Sequence, residues 1–213
     1  RFFQVRDISL SDSALYHQLL EVRSLCDSLK AQFLVNNRVD LALAVKAHGV
    51  HLGQDDLPVA AARKVLGNEA LIGLSTHNRD QFLKAQREDI DYLALGPLFP
   101  TSTKATKNPP VGLERLRELV AESRVPVVAI GGISLERAED LWTAGARSVA
   151  VISDITQKAD PARRVAEYLA LAHLYERGHF RPLIHDVFPL DEVAEGHRLL
   201  EERLAIGKVV LRP

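Results

Sequence analysis

Short apolar runs alternate with longer amphipathic segments along most of this chain, and that alternation predicts its elements. Residues 1–6 form a β-prone run in which Gln4 and Arg6, two apart, share one face of a strand. Ser9-Leu10-Ser11-Asp12 can cap a helix reaching about Ala31, with Leu19, Leu20, Val22 and Leu25 on its apolar side. The strand Gln32-Phe33-Leu34-Val35 ends on Asn36-Asn37-Arg38, and a short helix, 40–47, leads to the strand Gly49-Val50-His51-Leu52. A helix over 58–66, with Pro58 in its first turn, precedes the strand 70–74, which ends on Ser75-Thr76-His77. Helix 79–87, strand 92–95, helix 112–122, strand 126–130, helix 135–144, strand 148–152 and helix 161–172 complete the series.

Buried strands of continuous apolar character, each followed by an amphipathic helix, predict a parallel sheet covered by helices. Polar or small residues recur just past the strand C-termini: Asn36, Asp56, Ser75, Thr101, Gly132 and Ser153. An α/β barrel builds its active site there. A doubly wound open sheet is the rival, but no GxGxxG follows the first strand to favour it. The fold class expected is therefore a (β/α)8 TIM barrel. The pattern supplies seven strand–helix units where a barrel needs eight, and the start at Arg1 is where the eighth is expected. The absence of methionine points the same way, to the interior of a longer reading frame.

Composition narrows the function classes. With 213 residues, 46% hydrophobic and 26% charged, the chain is long enough for one large domain and has no tract suggesting disorder. A net charge of −1 offers no basic surface to nucleic acid or anionic lipid, and no apolar run suits a transmembrane helix. The single cysteine, Cys26, excludes an internal disulfide and fits a reducing, cytoplasmic setting. Homo-oligomerisation is left open.

Candidate chemistry concentrates in Gly96-Pro97-Leu98-Phe99-Pro100-Thr101-Ser102-Thr103-Lys104, just past strand 92–95. Hydroxyls and a compact ammonium at a strand end suit phosphate oxygens, and the same loop reads equally as polar surface.

These motifs together resemble one family. Gln4-Val5-Arg6, Val35-Asn36-Asn37-Arg38, Gly49 to Asp56, Gly73-Leu74-Ser75-Thr76-His77, Gly96 to Lys104, Ala129-Ile130-Gly131-Gly132-Ile133 and Val149-Ala150-Val151-Ile152-Ser153 resemble thiamine-phosphate synthase, in order from residue 1 to about 172. The resemblance implies a barrel that joins hydroxymethylpyrimidine diphosphate to thiazole phosphate with release of pyrophosphate, using Mg²⁺. It assigns Gln4, Arg6, Asn36 and Lys104 to the pyrimidine diphosphate, with Ser75 helping to place it. Asp56 and the position of Asn37 fall to the metal. Thr101, Thr103, Gly132, Ile152 and Ser153 fall to the thiazole phosphate. Arg6, Ser75 and Lys104 are the implied catalytic residues.

Two positions depart from the family pattern. Ile8 stands where the family has lysine, and Asn37 where it has aspartate, so a diphosphate charge and a metal carboxylate are missing. An impaired synthase, a thiazole-tautomerase-like barrel and an inert chimeric scaffold are the alternatives; Pro97, where the tautomerase has histidine, weighs against the second. Each motif also has a bland reading. Asn36-Asn37 suits a strand-end turn, Gly131-Gly132 suits tight packing, and Asp55-Asp56 suits a helix N-terminus. His48 and His51 are three apart, which points them to opposite faces of a strand and excludes joint metal ligation; His48 reads as a surface residue. Trp142 reads as packing.

The domains expected are a barrel over 1–174 and an appended segment over 175–213. That segment reads as strand 182–188, helix 190–204 and strand 207–211. The string Phe188-Pro189-Leu190-Asp191-Glu192-Val193-Ala194-Glu195-Gly196-His197-Arg198-Leu199-Leu200 and the terminal Ile206-Gly207-Lys208-Val209-Val210-Leu211 resemble the C-terminal end of medium-chain quinone reductases and alcohol dehydrogenases. The cofactor-binding glycine turn of those enzymes does not occur, so no NADPH function is implied.

Overall fold

The computed structural model describes residues 2–101, 108–177, 184–189, 193–194, 198 and 208–212, with the backbone alone for 184–189 and 208–212. Seven strands lie side by side in chain order, every neighbouring pair parallel: β1 Phe2–Val5, β2 Gln32–Asn36, β3 Gly49–Leu52, β4 Leu71–Thr76, β5 Tyr92–Leu95, β6 Val127–Ile130 and β7 Ser148–Ala150. Sequence-adjacent parallel strands require a crossover at every step, and the helices supply it: α1 Asp12–Ser28, α2 Val39–Ala44, α3 Val59–Leu66, α4 Arg79–Ala85, α5 Leu113–Ala121 and α6 Leu135–Thr143. Among the described residues β1 and β7 each pair on one side only, so the order is that of a barrel but closure is not seen.

The core lies between the sheet and its helices. Phe33, Val35, Val50, Leu52, Ile72, Leu74, Leu93, Leu95, Val127 and Ala129 occupy alternate strand positions and join Leu19, Phe82, Leu116, Leu119 and Leu141 from the helices. The other face carries Asn36, Gly49, His51, Gly73, Ser75, Tyr92 and Ala94, the opposite phase of a two-residue period. Strands that read as continuous apolar runs are thus apolar toward the helices, while the reverse mixes these small and polar residues with Leu34, Leu71, Val128 and Ile130.

The expected elements appear with shifted ends. α1 stops three residues short of Ala31 because Lys30 adopts φ 50°. β7 ends at Ala150, and a four-residue helix not expected from the pattern, α7 Ser153–Thr156, follows it. α8 spans Pro161–Glu176. Two compact units are resolved, Arg1–Glu167 and Tyr168–Pro213, with the division falling inside α8. In the second unit β8 Ile184–Pro189 and β9 Lys208–Arg212 pair in parallel; of the expected helix 190–204 only 193, 194 and 198 are described, as helical. Among the described residues no helix is long and apolar enough to cross a membrane.

Candidate active site

The C-terminal strand ends bring several predicted residues together. Gln4 Nε2 donates to Asn36 Oδ1 at 2.7 Å across β1 and β2. Arg6, one residue past β1, is exposed. Asn37 turns left-handed at φ 64°, a region Asn tolerates better than most residues, and its N–H reaches the His51 carbonyl at 2.9 Å. The turn reading of Asn37 therefore holds, and its side chain stands exposed at the same rim.

Ser75 sits at the centre of a second cluster. Its Oγ lies 2.7 Å from His51 Nε2, and its carbonyl accepts from Gln54 Nε2 at 2.6 Å. His51 Nδ1 lies 2.8 Å from the Tyr92 hydroxyl, and the two rings stack with centroids 5.6 Å apart. Burial, and after it the charge of Asp91, pushes the Tyr92 phenol above its ordinary range. Close by in sequence, Asp56 Oδ2 accepts from the Gly53 N–H at 2.6 Å, which fixes the carboxylate at the end of β3.

Thr101, Gly132 and Ser153 line one cavity of about 330 Å³, together with Pro100, Ile133, Ser134, Asp154, Gln157 and Lys158. Gly132 has φ 68°, and a Cβ there would lie 2.5 Å from the Pro100 carbonyl oxygen, so both conformation and space require glycine. Gly132 therefore packs tightly, against the loop after β5 rather than between strand and helix, and its position on the cavity wall is compatible with a ligand role as well. Ile152 is 58% exposed and is not among the residues lining the cavity. Thr103 and Lys104 lie outside the described residues.

Comparison with known proteins decides the family. The model of a family described as thiamine monophosphate synthase matches residues 1–155. Thiamine-phosphate synthase from Chlorobium limicola is 42% identical over 79% of this chain and 80% of its own length. The chain belongs to the thiamine-phosphate synthase family. Its members are enzymes, and so is this chain by kinship. The synthase from Synechocystis sp. is 44% identical, but this chain spans about half of it, 49%. Among solved structures, thiamine phosphate pyrophosphorylase from Pyrococcus furiosus superposes with a TM-score of 0.75 at 33% identity, covering 81% of this chain and 82% of that one. A second family model, described as zinc-binding dehydrogenase, matches residues 103–211. It overlaps the synthase match over 103–155, where α5, β6, α6 and β7 continue the one parallel sheet.

For a synthase-family site the donor set suits Mg²⁺ in part. Among the described residues no three His, Cys, Asp or Glu side chains gather as a metal cluster. Mg²⁺ commonly takes only one or two carboxylates and completes its shell from phosphates and water, so the donor chemistry of the hydrogen-bonded Asp56 carboxylate and the exposed Asn37 amide is sparse but of the kind it accepts.

Sequence reading missed several residues here. His51, set aside as half of an unworkable metal pair, is 6% exposed and bonded to Ser75. His48 is half-buried and its Nδ1 accepts from the Phe33 N–H at 3.3 Å, which corrects its reading as a surface residue. Gln54, Ser134, Gln157 and Lys158 were not singled out. A two-residue period along β3 and β4 could have placed His51, Gly73 and Ser75 on one face of the sheet, but not shown which of them touch. Trp142 is 5% exposed, a packed residue as expected.

Proposed function

We propose that the chain joins hydroxymethylpyrimidine diphosphate to thiazole phosphate, releasing pyrophosphate. Family membership supplies the reaction, and the cavity gathering Thr101, Gly132 and Ser153 is the observation that carries the phosphate end of it. The bond from the pyrimidine methylene carbon to the diphosphate oxygen breaks, and its electron pair leaves with the diphosphate. The thiazole nitrogen then supplies its lone pair to that carbon, forming the C–N bond and leaving the ring as a thiazolium. No proton need be abstracted, so the protein's task is to neutralise the leaving group and to aim the nucleophile.

Gln4, Arg6, Asn36, Ser75 and Lys104 serve the diphosphate substrate, with Arg6, Ser75 and Lys104 stabilising charge as it departs. Thr101, Thr103, Gly132, Ile152 and Ser153 hold the thiazole phosphate, the last three through backbone N–H groups. Asp56 and Asn37 would hold Mg²⁺, which supplies charge neutralisation on phosphate oxygens. The same proposal takes 1–174 as the synthase portion, 175–213 as an appended segment, and the cytoplasm as its setting.

The test is direct. Purified protein with both substrates and Mg²⁺ is expected to release pyrophosphate in step with thiamine phosphate, and Ser75→Ala is expected to lower turnover about a hundredfold. Release no faster than in a protein-free blank would sink the assignment. A weakened synthase is the second reading, favoured by Ile8, 80% exposed, in place of a cation, and by the neutral Asn37. The double change Ile8→Lys with Asn37→Asp then raises turnover; an unchanged rate removes that reading.

A further inference from the structure

We infer that Tyr92 and His51 form a directional hydrogen-bond relay that holds Ser75 as a donor toward the site. The inference rests on the reading of Ser75 as a contact for an anionic oxygen. His51, Gly73 and Tyr92 occupy one row across three strands, His51 opposite Gly73 and Gly73 opposite Tyr92. A Cβ on Gly73 would lie 2.0 Å from Tyr92 Cζ and 2.3 Å from its hydroxyl oxygen. The missing side chain is therefore what lets the phenol cross β4 and reach His51. Ser75, two residues beyond Gly73, shares its face and meets the other imidazole nitrogen.

Chemistry sets the direction. A neutral imidazole carries one N–H, so one ring nitrogen donates and the other accepts. To serve an anionic ligand oxygen Ser75 must spend its O–H on the ligand, and its Oγ must accept from within the protein. His51 then donates from Nε2 and accepts at Nδ1. The acceptance needs a donor at Nδ1, which is the Tyr92 O–H, and the phenol's resistance to ionisation keeps it one. The tautomer assignment thus follows from the partners. His51 and Tyr92 are positioning residues: they act through Ser75.

Two measurements test this. In ¹⁵N-histidine-labelled protein, with the His51 signals assigned by their loss in His51→Gln, long-range ¹⁵N–¹H correlation near pH 8 is expected to show the Nε2–H tautomer. The Tyr92→Phe variant is expected to shift His51 toward a mixture of tautomers. An Nδ1–H tautomer in the unaltered protein overturns the relay whether or not the protein turns over.

Kinetics give the second measurement. Tyr92→Phe is expected to lower kcat about tenfold with KM for thiazole phosphate unchanged, the worth of one neutral hydrogen bond. His51→Gln, which keeps an N–H near the Nε2 position, is expected to retain more activity than His51→Leu. Equal losses in those two variants, in proteins that unfold as cooperatively as the parent, overturn the relay. If the parent itself neither turns over nor binds pyrophosphate in calorimetry, the functional reading fails, and the tautomer alone then supports or overturns the relay.

Discussion

Single residues carry much of the precision of this molecule. Gly132 holds φ 68° with the carbonyl oxygens of Pro100 and Phe99 at 2.5 and 2.7 Å from where a Cβ would stand. Gly132→Ala is expected to cost about 1–3 kcal/mol, from left-handed strain plus a clash with backbone that cannot step aside. A lowered urea midpoint at unchanged slope is the check. Arg63 is the other position where a few atoms hold several segments. Its guanidinium donates to the carbonyls of Gly67, Asn68, Ala70 and Asp89, and pairs with the carboxylates of Asp89 and Asp91 at 3.1 and 3.0 Å. Arg63→Met keeps most of the bulk and strands those acceptors, an expected loss of about 2–3 kcal/mol in the same denaturation experiment.

At the scale of elements, helix entries show how local signals and distant partners divide the work. Ser11 accepts from the Ala14 N–H at 3.3 Å and Asn78 from the Gln81 N–H at 2.9 Å, both local caps of the kind a sequence advertises. Entry into α6 is different: the Leu135 N–H donates to Asp154 Oδ2 at 3.0 Å, nineteen residues away, on the helix no pattern announced. At α2, hydrogen bonds from the Arg38 guanidinium hold the Asp40 carboxyl below its ordinary 3.8, against an opposing effect of burial. A depressed carboxyl contributes stability above its unfolded pKa and loses it as pH falls through the folded one. Stability is therefore expected to decline below about pH 4, and Asp40→Asn to flatten that decline, read as the urea midpoint between pH 5 and 2.5. The side chain is 64% exposed, so solvent screening keeps the effect small.

Across the whole molecule, the sheet's edges are the notable feature. Among the described residues β1 pairs only with β2, and Phe2 and Phe3 are 62% and 48% exposed along it. An unpaired strand edge with apolar side chains is a template for another chain. Phe3→Lys is expected to reduce concentration-dependent light scattering while leaving the melting midpoint in place; scattering that does not change would place self-association elsewhere.

The order and type of seven strand–helix units, the placement of polar residues at strand ends and the family are all legible in the chain's residues alone. Those properties are written locally: a period of two or 3.6, a capping residue, a motif a few residues long. Which of those residues meet is set by the fold. Gln4 and Asn36 are thirty-two apart, His51 and Tyr92 forty-one, and their contacts depend on strand register that no local period encodes. The cavity wall likewise joins Thr101 and Gly132 to Gln157 and Lys158, residues with no signature of their own. His51 is the plainest case. Alone in the sequence it is one more histidine on a short strand, and only a glycine opposite it and a tyrosine beyond give it a direction.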